Sequence, residues 1–256
     1  MKIHSCFAFS LKLMTLSKIK GLEILDIGGQ NMQKNQPSIT KEQVSDVFDS
    51  RFIKVFGLEY VAGKQYMNAT RRDKDHLVAL KSEAEFKTML PDAVSCIVIL
   101  NGPVPKLLLT NEFRYPVGRY LLSVPAGLMD ENDADEAEPI FATAKRELKE
   151  ETNIDLTEED KLEIVNPLLF STPGMTDESN ALVCIVIADA TKICLSQDGA
   201  EGSECFDGFV ALTKQDAQRI LKQGKDDNGI FYSVYTWAAL MYFVSDMWKL
   251  ERVDTI

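Results

Sequence analysis

Glutamates crowd one short stretch of this chain, RELKEETNI at residues 146–154, at spacings that could do chemistry. Glu147 and Glu151 are four residues apart, and Glu150 is three from Glu147. On a helix such residues share a stripe, where like charges repel. They also gather toward the negative end of the helix dipole. The arrangement is costly unless the carboxylates are well solvated or a cation binds among them. Hard divalent ions, Mg²⁺ or Mn²⁺, prefer oxygen ligands of this kind. A Glu-rich helix face can equally be a solvated surface and nothing more, so the flanking residues must decide.

The elements that would position these glutamates can be read from periodicity. At about 100° per residue, a helix over 138–152 puts Phe141, Ala144 and Leu148 on one apolar stripe and Lys145 and Lys149 toward solvent. Short β-rich runs lie at 52–60, 64–70, 94–100, 106–113, 162–170 and 181–188, and helices near 214–223 and 230–249 close the chain. Strands outnumber helices and one helix stands between strands. The class expected is therefore α/β (α+β), a mixed sheet sandwiched by helices. Residues 1–48 differ in composition and read as an N-terminal extension, with Met32 as an alternative start. Within it, 1–31 is expected to be poorly ordered or not part of the folded protein.

Composition removes several other functions. The 28 basic and 39 acidic residues leave a formal charge of −11, which opposes the phosphate neutralisation that nucleic-acid binding depends on. An anionic small molecule would need bound cations or a few placed arginines. Only His4 and His76 are present, and the five cysteines (Cys6, Cys96, Cys184, Cys194, Cys205) form no close pairs. A zinc site or a Ser-His-Asp arrangement has little to be built from. The cysteines read as reduced and packed, which fits a cytoplasmic protein. Lys12 interrupts the apolar start, so no signal peptide is expected. Ser233, Thr236, Ser245 and Asp246 break the apolar run 231–248, which reads as a core or interface helix and not a membrane span.

Gly127, Glu138, Arg146, Glu147, Leu148, Glu150, Glu151 and Ile154 together resemble the signature of the Nudix hydrolases, G-x5-E-x7-R-E-U-x-E-E-x-G-U with U aliphatic. Seven residues separate Glu138 from Arg146, as that pattern asks. RELKEETNI then fits position by position, except that Asn153 stands where Gly is usual. Asn is the next residue able to end a helix in the left-handed conformation. Ten residues, not five, separate Gly127 from Glu138, which reads as an insertion of five. The resemblance implies a loop-helix-loop on an α/β/α sandwich, with residues 49–93 as an N-terminal β subdomain and 94–250 as the hydrolase domain. It implies Mg²⁺ or Mn²⁺ held by Glu147, Glu150, Glu151 and the Ala126 carbonyl. Arg146 would orient Glu150 through an ion pair.

The likeness runs from about Phe52 to Met247 and is nearest to the ADP-ribose pyrophosphatase branch, on NEFRYPVGRYLLSVPAG, STPGMTDESNAL and KQGKDDNGIFYSVYTWAAL. Arg114 matches an arginine that contacts the substrate diphosphate, a task suited to a planar fork of donors. Arg72, or its neighbour Arg71, would reach the anionic ligand from the N-terminal subdomain. Glu178, with Asp177 beside it as the alternative, aligns with a loop glutamate that positions the attacking water. Ser123 replaces a glutamate usual two residues before Pro-Ala-Gly, which bears on substrate choice or metal number. The expected reaction is metal-dependent hydrolysis of ADP-ribose or a related nucleoside diphosphate sugar to AMP and a sugar phosphate. Another dinucleotide as substrate, or a domain that senses ADP-ribose without cleaving it, is the alternative. The branch is commonly homodimeric through its N-terminal strands, and residues 231–243 are a candidate contribution to that interface.

Overall fold

The computed structural model describes residues 37–199 and 204–250, so the signal-peptide and disorder expectations for residues 1–31 lie outside the described residues. The chain divides at Pro37/Ser38, and everything below concerns the second unit. Within it, β1 (Val44–Asp49), β2 (Lys54–Val61) and β3 (Lys64–Thr70) form a three-stranded antiparallel sheet. A short helix α1 (Glu83–Thr88) follows, opened by a capping box between Ser82 and Glu85.

The main sheet has seven strands. β4 (Ala93–Leu100) and β5 (Lys106–Arg114) are central, flanked by β6 (Arg119–Ser123), β7 (Ala126–Leu128), β8 (Lys161–Phe170), β9 (Ser179–Ile187) and β10 (Phe206–Leu212). The path runs β10-β5-β4-β9-β8, with β6 beside β5 and β7 beside β4. Among the described residues β4 and β9 pair in parallel and the other neighbouring strands of this sheet pair antiparallel, which makes the sheet mixed.

Period-2 alternation sorts the strand side chains onto two covered faces. Val94, Cys96, Val98, Leu108, Ala181, Val183 and Ile185 pack with Ala144 and Leu148 of α3 (Pro139–Thr152). Ile97, Ile99, Leu107, Leu109, Leu122 and Leu182 pack instead with Ala217 and Ile220 of α4 (Lys214–Gln223) and Ala239, Leu240 and Phe243 of α5 (Val234–Val244), leaving a short α2 (Glu131–Ala134) to cap the loop before α3. Helices thus cover both sides of the sheet. The apolar run 231–248 folds as an eleven-residue helix, and among the described residues no helix is long and apolar enough to cross a membrane.

Helix α3 sits where its sequence pattern sends it. Ala144 and Leu148 are fully buried, Lys145 and Lys149 are exposed, and Pro139 occupies the first turn, where its missing N–H costs nothing. Burying a leucine of this kind stabilises the fold by roughly 1.5–3 kcal/mol. Asn153 ends the helix at φ 61°, ψ 20°, its N–H donating to the Lys149 carbonyl. The left-handed conformation that glycine would take is therefore present, with asparagine in it.

Candidate active site

Arg146 is the hub of the acidic face of α3. Its Nη1 donates to Glu147 Oε1 at 2.8 Å and Glu150 Oε2 at 2.9 Å, and its Nη2 donates to the Leu128 carbonyl at 2.8 Å and Asp133 Oδ2 at 2.7 Å. Burial works against the guanidinium charge, but Asp133 and Glu147 outweigh it and hold Arg146 firmly protonated. One arginine thereby fixes the rotamers of two carboxylates and ties the helix to the end of β7.

Asp133 was not legible as a partner. By spacing, Glu138 takes the first glutamate of the motif; in the structure it is exposed and caps α3 without a side-chain hydrogen bond. Asp133 is buried, six residues after Gly127, the distance that G-x5-E asks of its acid. The extra residues therefore fall after that acid and not before it. Aspartate in place of glutamate hid the match. Burial opposes its ionisation, yet Arg146 and the Asp130 backbone hold its pKa below the ordinary value.

The three glutamates differ in setting. Glu147 is 5% exposed and Glu151 3%, while Glu150 is half-buried. Burial pushes Glu147 up to about 7 against the pull of Arg146, with Glu150 and Glu204 adding to the rise. Burial also drives Glu151 well above the usual carboxylate range, opposed by the Ala126 N–H, which donates to its Oε1 at 3.2 Å, and reinforced by Glu112 and Glu147. Gly127 makes room for Glu147: a Cβ there would lie 2.0–2.3 Å from the three atoms of the Glu147 carboxylate.

Glu147 and Glu150 open onto a cavity of about 480 Å³ that Ala126, Gly127, Arg71, Glu112, Arg114 and Tyr115 also line. Arg114 Nη2 lies 2.6 Å from Glu112 Oε2, and Arg71 Nε donates to Glu178 at 2.9 Å. Of the arginine pair at 71–72, the structure turns Arg71 to the cavity. Arg72 is paired with Asp92, whose other oxygen accepts from the Ser179 N–H and hydroxyl at 2.7 and 2.8 Å. That makes Arg72 a clamp between the small sheet and the start of β9. Glu178 reaches the site through Arg71, on a loop held down by Ala69 N–H to the Met175 carbonyl and Tyr66 Oη to the Gly174 carbonyl. Asp177, the alternative to Glu178, instead accepts from the Val78 N–H.

A larger hollow, about 600 Å³, lies between residues 153–160 and 187–194. It has no arginine, and its lysine, Lys192, is paired with Asp189, so it offers nothing for an anion. The smaller cavity is where the chemistry gathers.

A hard divalent cation suits this cavity by donor type: buried carboxylate oxygens with too few positive partners, beside a glycine that clears space for one of them. Among the described residues no three acidic or thiol ligands already converge on one point. Arg146 holds Glu147 and Glu150, and the Ala126 N–H holds Glu151, so a bound ion would draw these oxygens inward through side-chain rotations.

A three-layer sandwich in which Glu147 and Glu150 of α3 share one cavity with Arg71 and Arg114 is the frame of this site. A family model described as the NUDIX domain matches residues 89–227, more than half of the chain, and the chain belongs to that family. It is 33% identical over 122 residues to an ADP-ribose pyrophosphatase of Saccharomyces cerevisiae, a match covering 45% of this chain and 49% of that protein. It is 34% identical over 97 residues to an uncharacterized Nudix hydrolase of Schizosaccharomyces pombe, covering 38% and 41%. The chain thus spans less than half the length of these curated relatives. A solved structure described as an ADP compounds hydrolase aligns with a TM-score of 0.47 at 18% identity, over 82% of this chain and 94% of that one.

Proposed function

We propose that this chain hydrolyses the pyrophosphate bond of ADP-ribose or a related nucleoside diphosphate sugar, releasing AMP and a sugar phosphate. The observation that carries this reading is that Glu147 and Glu150 of α3 line one cavity together with Arg71 and Arg114. Arg114 and Arg71 neutralise the diphosphate and fix its orientation, which alone removes much of the entropic barrier. Glu147, Glu150 and Glu151, with the Ala126 carbonyl, would hold Mg²⁺ or Mn²⁺. When bound, such ions lower the pKa of water and stabilise charge on the leaving phosphate. Arg146 keeps the carboxylates aligned, and Glu178 positions the water that adds to phosphorus as the bridging P–O bond breaks. The 33% identical ADP-ribose pyrophosphatase supports the substrate class.

The test is phosphate release from ADP-ribose, ADP-glucose and NADH in parallel, coupled to alkaline phosphatase, with Mg²⁺ and then with EDTA. Metal-dependent cleavage that favours ADP-ribose is expected, and Glu150→Gln and Glu151→Gln should each abolish it with folding intact. Full activity in both variants would sink the proposal. A ligand that binds without cleavage would leave a sensor in its place. The same reading makes the protein a homodimer in a reducing, cytoplasmic setting. Exposed Phe48, Tyr60 and Val61 on the small sheet, with Phe52 and Ile53 in the connection between β1 and β2, support the dimer, which sedimentation would measure.

A further inference from the structure

Ser123 stands where the resembling branch carries a glutamate, yet the site has a buried carboxylate that the motif does not account for. In the ladder between β5 and β6, Glu112 is opposite Leu121 and Thr110 is opposite Ser123. Leu108 packs toward α3 while Leu107, Leu109 and Leu122 pack toward α4 and α5, so alternation places Glu112, Arg114 and Ser123 together on the α3 face. Glu112 and Ser123 are diagonal neighbours there, about 7–8 Å apart at the backbone, within reach of one long side chain. Glu112 is 8% exposed and borders the same cavity as Ala126, Glu147 and Glu150. Ser123 is 3% exposed, and its hydroxyl, which meets no other hydrogen-bond partner, lies near enough to Glu112 to favour the ionised carboxylate as a donor, against the burial that raises it.

Building on the function proposed above, we propose that Glu112 is a carboxylate of the metal site in this chain, supplied from β5 in place of the one that Ser123 removes from β6. A small residue at 123 leaves the volume, and a glutamate two positions along the facing diagonal fills it with the same functional group. Its present partner, Arg114 at 2.6 Å, is also the proposed diphosphate donor. Were Glu112 to turn to a bound cation, Arg114 would be released for the substrate, so that metal and substrate binding would be coupled through this pair.

The experiment is Mn²⁺ titration of the full-length protein followed by electron paramagnetic resonance, for wild type, Glu112→Gln, Glu151→Gln and the double variant Glu112→Gln/Ser123→Glu. Glutamine keeps the shape and an oxygen for Arg114 while removing the charge. Glu112→Gln should weaken Mn²⁺ binding about 10–100-fold, the usual effect of losing a supporting group at a metal site. The double variant, where circular dichroism shows it folded, should recover part of that loss. Wild-type Mn²⁺ affinity in Glu112→Gln beside weak binding in Glu151→Gln overturns the proposal and leaves the enzyme reading standing. Undiminished binding in both variants overturns the metal reading, and this proposal with it.

Discussion

Replacing Gly127 with alanine separates folding from chemistry in this protein. The new Cβ would stand 2.0, 2.1 and 2.3 Å from the Glu147 Oε1, Cδ and Oε2 atoms. Relaxed contact lies near 3.5 Å, so the carboxylate must retreat by roughly 1–1.5 Å. The obstacle is the end of a flexible side chain and not backbone, so β7 and α3 should keep their places. What is lost is the 2.8 Å bond from Arg146 and the position of a proposed metal ligand. Breaking a half-buried, charge-assisted hydrogen bond costs about 1–3 kcal/mol. A 1 Å misplacement at a catalytic group costs on the order of 10²-fold in rate. Gly127→Ala should therefore lower kcat for ADP-ribose about a hundredfold and Tm by only a few degrees. Steady-state kinetics with saturating Mg²⁺ and calorimetry on the same sample measure both. Wild-type kcat with the variant folded would refute the reasoning, because the close approach of Gly127 to Glu147 would then have no bearing on the site.

Asp133→Ala should reduce kcat and cost about 1–3 kcal/mol of stability through loss of its buried bond to Arg146, read by kinetics and by urea unfolding. Leu148→Ala removes a fully buried side chain between α3 and the sheet and should cost 2–5 kcal/mol by the usual range, roughly, in the same unfolding assay. With EDTA present, stability should fall as pH rises from 5 to 8. Folded Glu147 titrates at about 7 against an ordinary 4.5, so its contribution is whole below the lower value and is lost on passing the upper. That difference is worth roughly 3 kcal/mol, and Glu147→Gln should flatten the profile of Tm against pH. Arg72→Ala should loosen the junction at Asp92 and Ser179 and lower Tm with little change in KM, whereas Arg71→Ala should raise KM; the opposite pattern would return Arg72 to the substrate.

What could be read from the sequence follows the range of the forces involved. Helix α3 was expected over 138–152 and runs Pro139–Thr152, because a 3.6-residue apolar stripe and an αL-competent asparagine at its end are local signals. Strands β4 and β9 were equally plain, being near-continuous apolar runs covered on both faces, and β5 and β8 were read from shorter apolar stretches within them. β7 has three residues and β1 the sequence VSDVFD, and neither carries a pattern; partners across the sheet make them strands. β10 was missed for a similar reason, since FDGFVAL has a glycine at φ 79° and a register shift. Helix α2 arises inside the stretch read as inserted, where Asp130 accepts from the Asp133 N–H and so presents Asp133 to Arg146.

The active site divides along the same line. Residues whose roles depend on spacing within one helix, Arg146 with Glu147, Glu150 and Glu151, can be named from sequence because the helix itself brings them together. Choosing Arg71 over Arg72 cannot be done that way: the two are adjacent, and Asp92 and Ser179, distant in the chain, decide which of them is spent on the scaffold. Glu112 was invisible for a further reason. A glutamate one residue off would sit on the α4–α5 face with Leu107, Leu109 and Leu122; strand register turns Glu112 toward α3. A carboxylate can therefore leave β6 and reappear on β5 without disturbing any motif, because the site requires the charge at a point in space and the sheet offers two strands from which to reach it.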